Sequence, residues 1–111
     1  MMIETRRWTA VMLIGTTPRL IVEGEARTHP YAFVSLAERR VFGSAPGTLC
    51  LDIRLIGDRP GLDVLAWKAV HFERVVRDGE YQTIVIGGTG VPIRLEVKRV
   101  AAHVYARNGH R

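Results

Sequence analysis

Between positions 48 and 55 the chain reads Thr-Leu-Cys-Leu-Asp-Ile-Arg-Leu, so Leu49, Leu51, Ile53 and Leu55 fall on every second position. A period of two puts these four side chains on one face of a pleated strand and Cys50, Asp52 and Arg54 on the other. A helix would scatter the leucines around its axis and bury Asp52 among them. Ala45, Pro46 and Gly47 lead into the run, and the Gly-Asp-Arg-Pro-Gly of 57–61 leads out of it. Turn chemistry therefore bounds it at both ends. The pattern predicts a strand with one buried face near the middle of a β-fold.

The same period recurs on either side. Residues 7–14 carry Trp8, Ala10, Met12 and Ile14 on one side and Thr9, Val11 and Leu13 on the other. Both sides are rather apolar, which suits a strand covered on two faces or one sitting at an interface. Residues 19–26 predict a second strand, with Leu20 and Val22 inward and Glu23 and Glu25 later on. Gly24 sits mid-strand, where glycine marks a bulge or a close backbone approach. Thr28, His29 and Pro30 form a loop, and 31–38 set Ala32, Val34 and Leu36 against Tyr31, Phe33 and Ser35. Residues 35–42 also fit two helical turns, but Gly43 and Pro46 follow soon after, favouring a strand that runs into a loop.

Residues 63–76 form the longest uninterrupted segment. A helical stripe of Leu65, Ala69, Phe72 and Val76 competes there with strand alternation. β-branched and aromatic content, with strands on both sides, favours the strand. Asp78-Gly79 marks a tight turn. A short strand is expected over 81–86, a hairpin turn over 87–90, and a cleanly alternating strand over 91–100 that His103 and Tyr105 extend. Seven to eight short strands at spacings of roughly eight to twelve residues predict an all-β chain. The expected fold is a single antiparallel β-sandwich, immunoglobulin-like or fibronectin-like, without the paired cysteines of antibody domains. One domain covers 1–111, with 1–5 and 107–111 expected as disordered ends.

The segments Leu20-Ile21-Val22-Glu23-Gly24-Glu25, 31–36 and Pro46-Gly47-Thr48-Leu49-Cys50-Leu51-Asp52-Ile53 together resemble a loose family of small uncharacterised bacterial β-sandwich proteins. The shared feature is an opening of strand, glycine, strand, long loop and Leu-x-Leu-x-Leu. The resemblance implies a bacterial origin and a compact sandwich. It implies no activity and gives no residue a role.

Charge changes this picture little. The formal net charge is +5, with 14 arginines and 2 lysines. Arg6, Arg7, Arg107 and Arg111 lie near the ends, and between 8 and 106 twelve basic groups face ten acidic ones. The basic excess is thus terminal. Arginine over lysine is read as codon bias. Cys50 is the single cysteine, so no disulfide framework forms within the chain, and a cytoplasmic location is expected. No signal-peptide pattern and no apolar run of ~20 residues is found.

Candidate chemistry is sparse. His29, His71 and His103 lack metal-ligand spacing, so no metal and no cofactor are expected. Cys50 has no local group to lower its pKa and reads as packing. Ser35 and Ser44 lack a nucleophile elbow. Glu23 and Glu25 share a strand face, and a solvated face explains them. The glycines of 87–90 lack the order and the lysine of a phosphate loop. Trp67 is expected in the core, whereas Trp8 is divided between core and surface. The expectation is a non-enzymatic protein that acts by association, as a homodimer or an accessory domain, with Arg6, Arg7, Trp8 and Met12 as interface candidates. A nucleic-acid-binding module is the first alternative, with Arg6, Arg7, Arg39, Arg40, Arg94, Lys98 and Arg99 as its footprint. A small-ligand carrier or hydrolase is the second.

Overall fold

A computed structural model describes residues 3–41, 43, 45–57 and 64–102. All eight of its elements are strands: β1 (Thr5–Ile14), β2 (Arg19–Thr28), β3 (Phe33–Glu38), β4 (Thr48–Ile56), β5 (Ala66–Val75), β6 (Thr83–Gly87), β7 (Ile93–Glu96) and β8 (Lys98–Ala101). They form two four-stranded sheets, ordered β5-β2-β1-β8 and β3-β4-β6-β7. The alternation within 48–55 holds: Leu49, Leu51 and Ile53 are buried, and Leu55, at the end of the row, is half-buried. With Ile84 and Ile86 of β6 they meet Ala10, Met12, Leu20, Val22 and Val70 of the other sheet in one core.

The expected purely antiparallel, immunoglobulin-like arrangement is corrected. β1 pairs with β8 in parallel, and β4 pairs with β6 in parallel. Parallel neighbours need a crossover between them. Here β5 supplies it: after β4 the chain crosses to the first sheet and returns as β6. Side-chain alternation is the same in both ladder types, so the pattern carried no sign of strand direction.

The strand expected over 91–100 is two strands. β7 belongs to the second sheet and β8 to the first, and the chain changes sheets at Val97, whose N–H donates to the Gln82 carbonyl at 2.9 Å. That crossing ties the sheets together along one side. Along the other, β3 and β5 are tied by side chains. Lys68 Nζ donates to the carbonyls of Pro30 (3.0 Å) and Ala32, and Arg74 donates to Glu38 Oε1 at 2.6 Å. Lysine on an edge strand also discourages open-ended pairing.

Both helix-or-strand ambiguities resolve to strand. β5 keeps a continuous ladder against β2 from Val75 opposite Arg19 to Ala66 opposite Thr28, so no helical stripe forms. β3 ends at Glu38, and Arg39 N–H then donates to the Cys50 carbonyl at 2.8 Å. The turn at Asp78-Gly79 closes through Glu80 N–H to the Arg77 carbonyl at 3.0 Å. β6 and β7 form the expected hairpin, with Gly88 and Gly90 at positive φ. The turn over 58–61, Asp63, Ser44, the extension through His103 and Tyr105, and the tail from 107 lie outside the described residues. No helix among the described residues is long and apolar enough to cross a membrane.

Candidate association face

The outer face of the first sheet is shaped by one irregularity in β1. Arg6 stands opposite Glu25 and Thr9 opposite Glu23, so Arg7 and Trp8 together span the place of Gly24. This is a β-bulge, and Arg7 occupies its left-handed position at φ 59°. Bulges of this geometry normally place glycine there. Arg7 is the one non-glycine residue at positive φ among the described residues.

The extra residue re-aims its neighbours. Trp8 turns inward over Gly24, and its Nε1–H donates to Thr5 Oγ1 at 2.9 Å. Gly24 is therefore a close-approach glycine, and the bulge lies in the strand opposite it. Arg6 points outward, donates from Nε to Glu25 Oε1 at 2.7 Å and lies 3.9 Å from the centroid of the Trp67 ring. Arg7 is 69% exposed in its side chain, with NH1 3.6 Å from the same Glu25 oxygen. Trp67 thus leaves the core expected for it. In β5 the inward side chains are Lys68, Val70, Phe72 and Arg74, which puts position 67 on the outer face opposite Arg27.

Of the four interface candidates, Arg6 and Arg7 stand together on this face. Trp8 is half-buried against the core, and Met12, 1% exposed, lies inside it. Met12 faces inward because the bulge restores the alternation that places Ala10 and Met12 on the core side. Its side chain offers no outer surface.

Further along the same face the ladders align a row the sequence did not reveal. Lys98 pairs with Val11, Val11 with Ile21, and Ile21 with Glu73. The next row holds Val100, Leu13, Arg19 and Val75. Val11, Leu13 and Val100 lie half-buried outside the core cluster, and Ile21 beside them is 7% exposed, so β1 is apolar on both faces, as its sequence suggested. The run Leu20-Ile21-Val22 carried the same signal for β2. The contributions of Lys98, Trp67 and Glu73 depend on registers between strands far apart in sequence, so no local pattern marks them.

His71 sits at the rim, opposite Glu23. Its Nδ1 lies 3.1 Å from Glu23 Oε2 and its Nε2 3.1 Å from Glu73 Oε1, while Glu73 also pairs with Arg19. Burial pulls the imidazole pKa down, but hydrogen bonds and charge from both carboxylates outweigh it and raise it above the ordinary 6.5. With the folded pKa above the unfolded one, the stabilisation is fully present below about 6.5 and fades as pH rises through the folded value. The side chain is half exposed, so solvent screening keeps the effect small. An NMR titration is expected to place His71 above a free imidazole, and Glu73→Gln to bring it down.

The remaining candidates are dispersed. Arg39 and Arg94 lie on the outer face of the second sheet, Arg39 bonded to Asp52 at 3.1 Å. Arg99 faces the other way from Lys98 and binds Asp78 at 2.8 and 3.0 Å. The basic residues expected to make one nucleic-acid footprint therefore occupy separate faces. Two open clefts flank Tyr81, one of about 340 Å³ between Met12, Val97 and Arg99, the other of about 280 Å³ beside Arg39, Arg40 and Cys50. Their carboxylates are engaged, Asp78 by Arg99 and Glu38 by Arg74. His29 is buried, and its Nδ1 accepts the Tyr31 N–H at 3.2 Å. Among the described residues no three ligating side chains gather into a metal site. Comparison with protein-family models, with curated proteins and with solved structures gives no match.

Proposed function

We propose that this chain is a non-enzymatic, sandwich-like association domain that pairs with a second copy of itself through the outer face of the first sheet. The observation that carries the reading is the row Lys98–Val11–Ile21–Glu73, basic at one end, aliphatic in the middle and acidic at the other. Two sheets laid face to face about a two-fold axis along the strands bring the lysine end of each row over the acidic end of the other. The aliphatic pairs then meet between them. An isologous contact requires this kind of self-complementarity, and each contact in it occurs twice. The second aliphatic face of β1 supports the same reading, since a row of half-buried valine and leucine gains from being covered.

Light scattering after size exclusion, together with sedimentation equilibrium, tests the reading. A dimer is expected at micromolar concentration. Lys98→Glu weakens it about tenfold, from roughly 0.7 kcal/mol for each of two rim pairs. Glu73→Lys in the same chain recovers most of that loss. Val11→Asp abolishes the dimer with the far-ultraviolet spectrum unchanged. A strictly monomeric wild type up to the highest soluble concentration would overturn the proposal.

A further inference from the structure

The bulge in β1 has a property that self-association does not require. Its left-handed position holds an arginine, although glycine adopts that backbone with no steric cost. The arginine makes little use of the position inside the chain, because its one ion pair among the described residues is 3.6 Å long and leaves its side chain 69% exposed. Arg6 beside it is fixed on two sides, by Glu25 at 2.7 Å and by the Trp67 ring at 3.9 Å. One carboxylate thus serves two guanidiniums, and the group retains a net positive charge. Arg6 is immobilised before any partner arrives, and Arg7 is pushed outward by the bulge.

We infer that Arg6 and Arg7 form a preorganised site for one isolated carboxylate side chain on the surface of a partner protein. A guanidinium presents parallel N–H donors that match a carboxylate, and fixing it in advance lowers the entropic cost of binding. The surroundings decide between kinds of anion. Glu23 and Glu73 stand on the same face beyond Glu25, so a run of anions, phosphates or carboxylates alike, would meet repulsion on that side, and one isolated carboxylate is the fitting ligand. The Trp67 ring, which could stack a base, is already covered by Arg6. This inference rests on other residues than the pairing of two copies, which is argued from the Lys98–Val11–Ile21–Glu73 row.

The test is an NMR titration of the full chain with a short peptide carrying a single glutamate at low salt, run beside a single-stranded oligonucleotide and inorganic phosphate. The peptide is expected to shift the Trp67 indole and the amides around Arg6, Arg7 and Glu25. Arg7→Gly is expected to weaken peptide binding about tenfold while raising Tm by a few degrees, since the left-handed position is relieved. Arg7→Asn, which tolerates the same backbone, is expected to lose binding equally. Peptide binding unchanged in both variants overturns the inference, and so does the absence of any shift at Trp67. An oligonucleotide or phosphate that binds more tightly than the peptide overturns it as well. Loss of the dimer with peptide binding intact would count against the self-association proposal alone.

Discussion

Gly24→Ala is expected to destabilise the protein by about 2–3 kcal/mol, an overpacking cost, and to become neutral or stabilising once Trp8 is alanine. A Cβ on Gly24 would lie 2.4 Å from Trp8 Cε3 and 2.6 Å from Cδ2. These are atoms of a rigid ring, not the end of a flexible chain. The ring is anchored by its bond to Thr5 and seated by the bulge, so relief requires β1 to move. Trp8→Ala alone is expected to cost about 3 kcal/mol, toward the low end for a tryptophan because the side chain is only half-buried. With the ring gone, the three atoms nearest that Cβ go with it, and alanine at 24 removes the entropic penalty of a glycine in a strand, about 0.5–1 kcal/mol. The change of sign between backgrounds, read by urea denaturation in a double-mutant cycle, separates this mechanism from ordinary strand propensity. Additive effects of the two substitutions would show that the contact does not govern the position.

The same pair illustrates what could be read in advance. Gly24 stands out in the sequence as a mid-strand glycine, and a close approach is one of the two reasons such a glycine occurs. What approaches it could not be read, because Trp8 reaches it only through a left-handed arginine that no local pattern announces. Strand existence was legible throughout, since alternation survives any choice of neighbour. Strand direction was not, and the two parallel pairs follow from the chain leaving the second sheet after β4 and again after β7 to form β5 and β8 in the first. The change of sheet at Val97 was hidden for a related reason: the alternation runs from Ile93 through Val97 without a break, while the backbone passes from one layer to the other.

The candidate face was legible in part. Arg6 and Arg7 were visible as a basic pair beside an apolar strand, and the two-sided apolar character of β1 pointed to a covered outer surface. Met12 was grouped with them by proximity in sequence, yet parity in the strand places it on the opposite side from Val11. Trp67 was assigned to the core because large aromatics usually go there. The core is instead filled by medium-sized aliphatics, with Leu20, Leu51, Ile84 and Ile86 fully buried. That leaves the Trp67 ring to serve as a platform for Arg6.

Leu51→Ala is expected to cost about 3–4 kcal/mol, the largest effect of any truncation in the 48–55 row, whereas Leu55→Ala costs about 1 kcal/mol. Leu51 is 0% exposed and lies between a parallel neighbour, Ile86, and an antiparallel one, Glu38. It shares one core cluster with Met12, Leu20 and Val22 of the other sheet, so collapse around the hole would need two ladders to shift together. Leu55 has the same place in the alternation but lies where the row runs out of the core, and it loses little that water does not replace. The two substitutions remove identical atoms from one strand face, so their difference measures how far the shared core extends along β4. Equal losses in chemical denaturation would mean that the sheets stay in contact through Leu55, and the end of the strand would then belong to the packed interior.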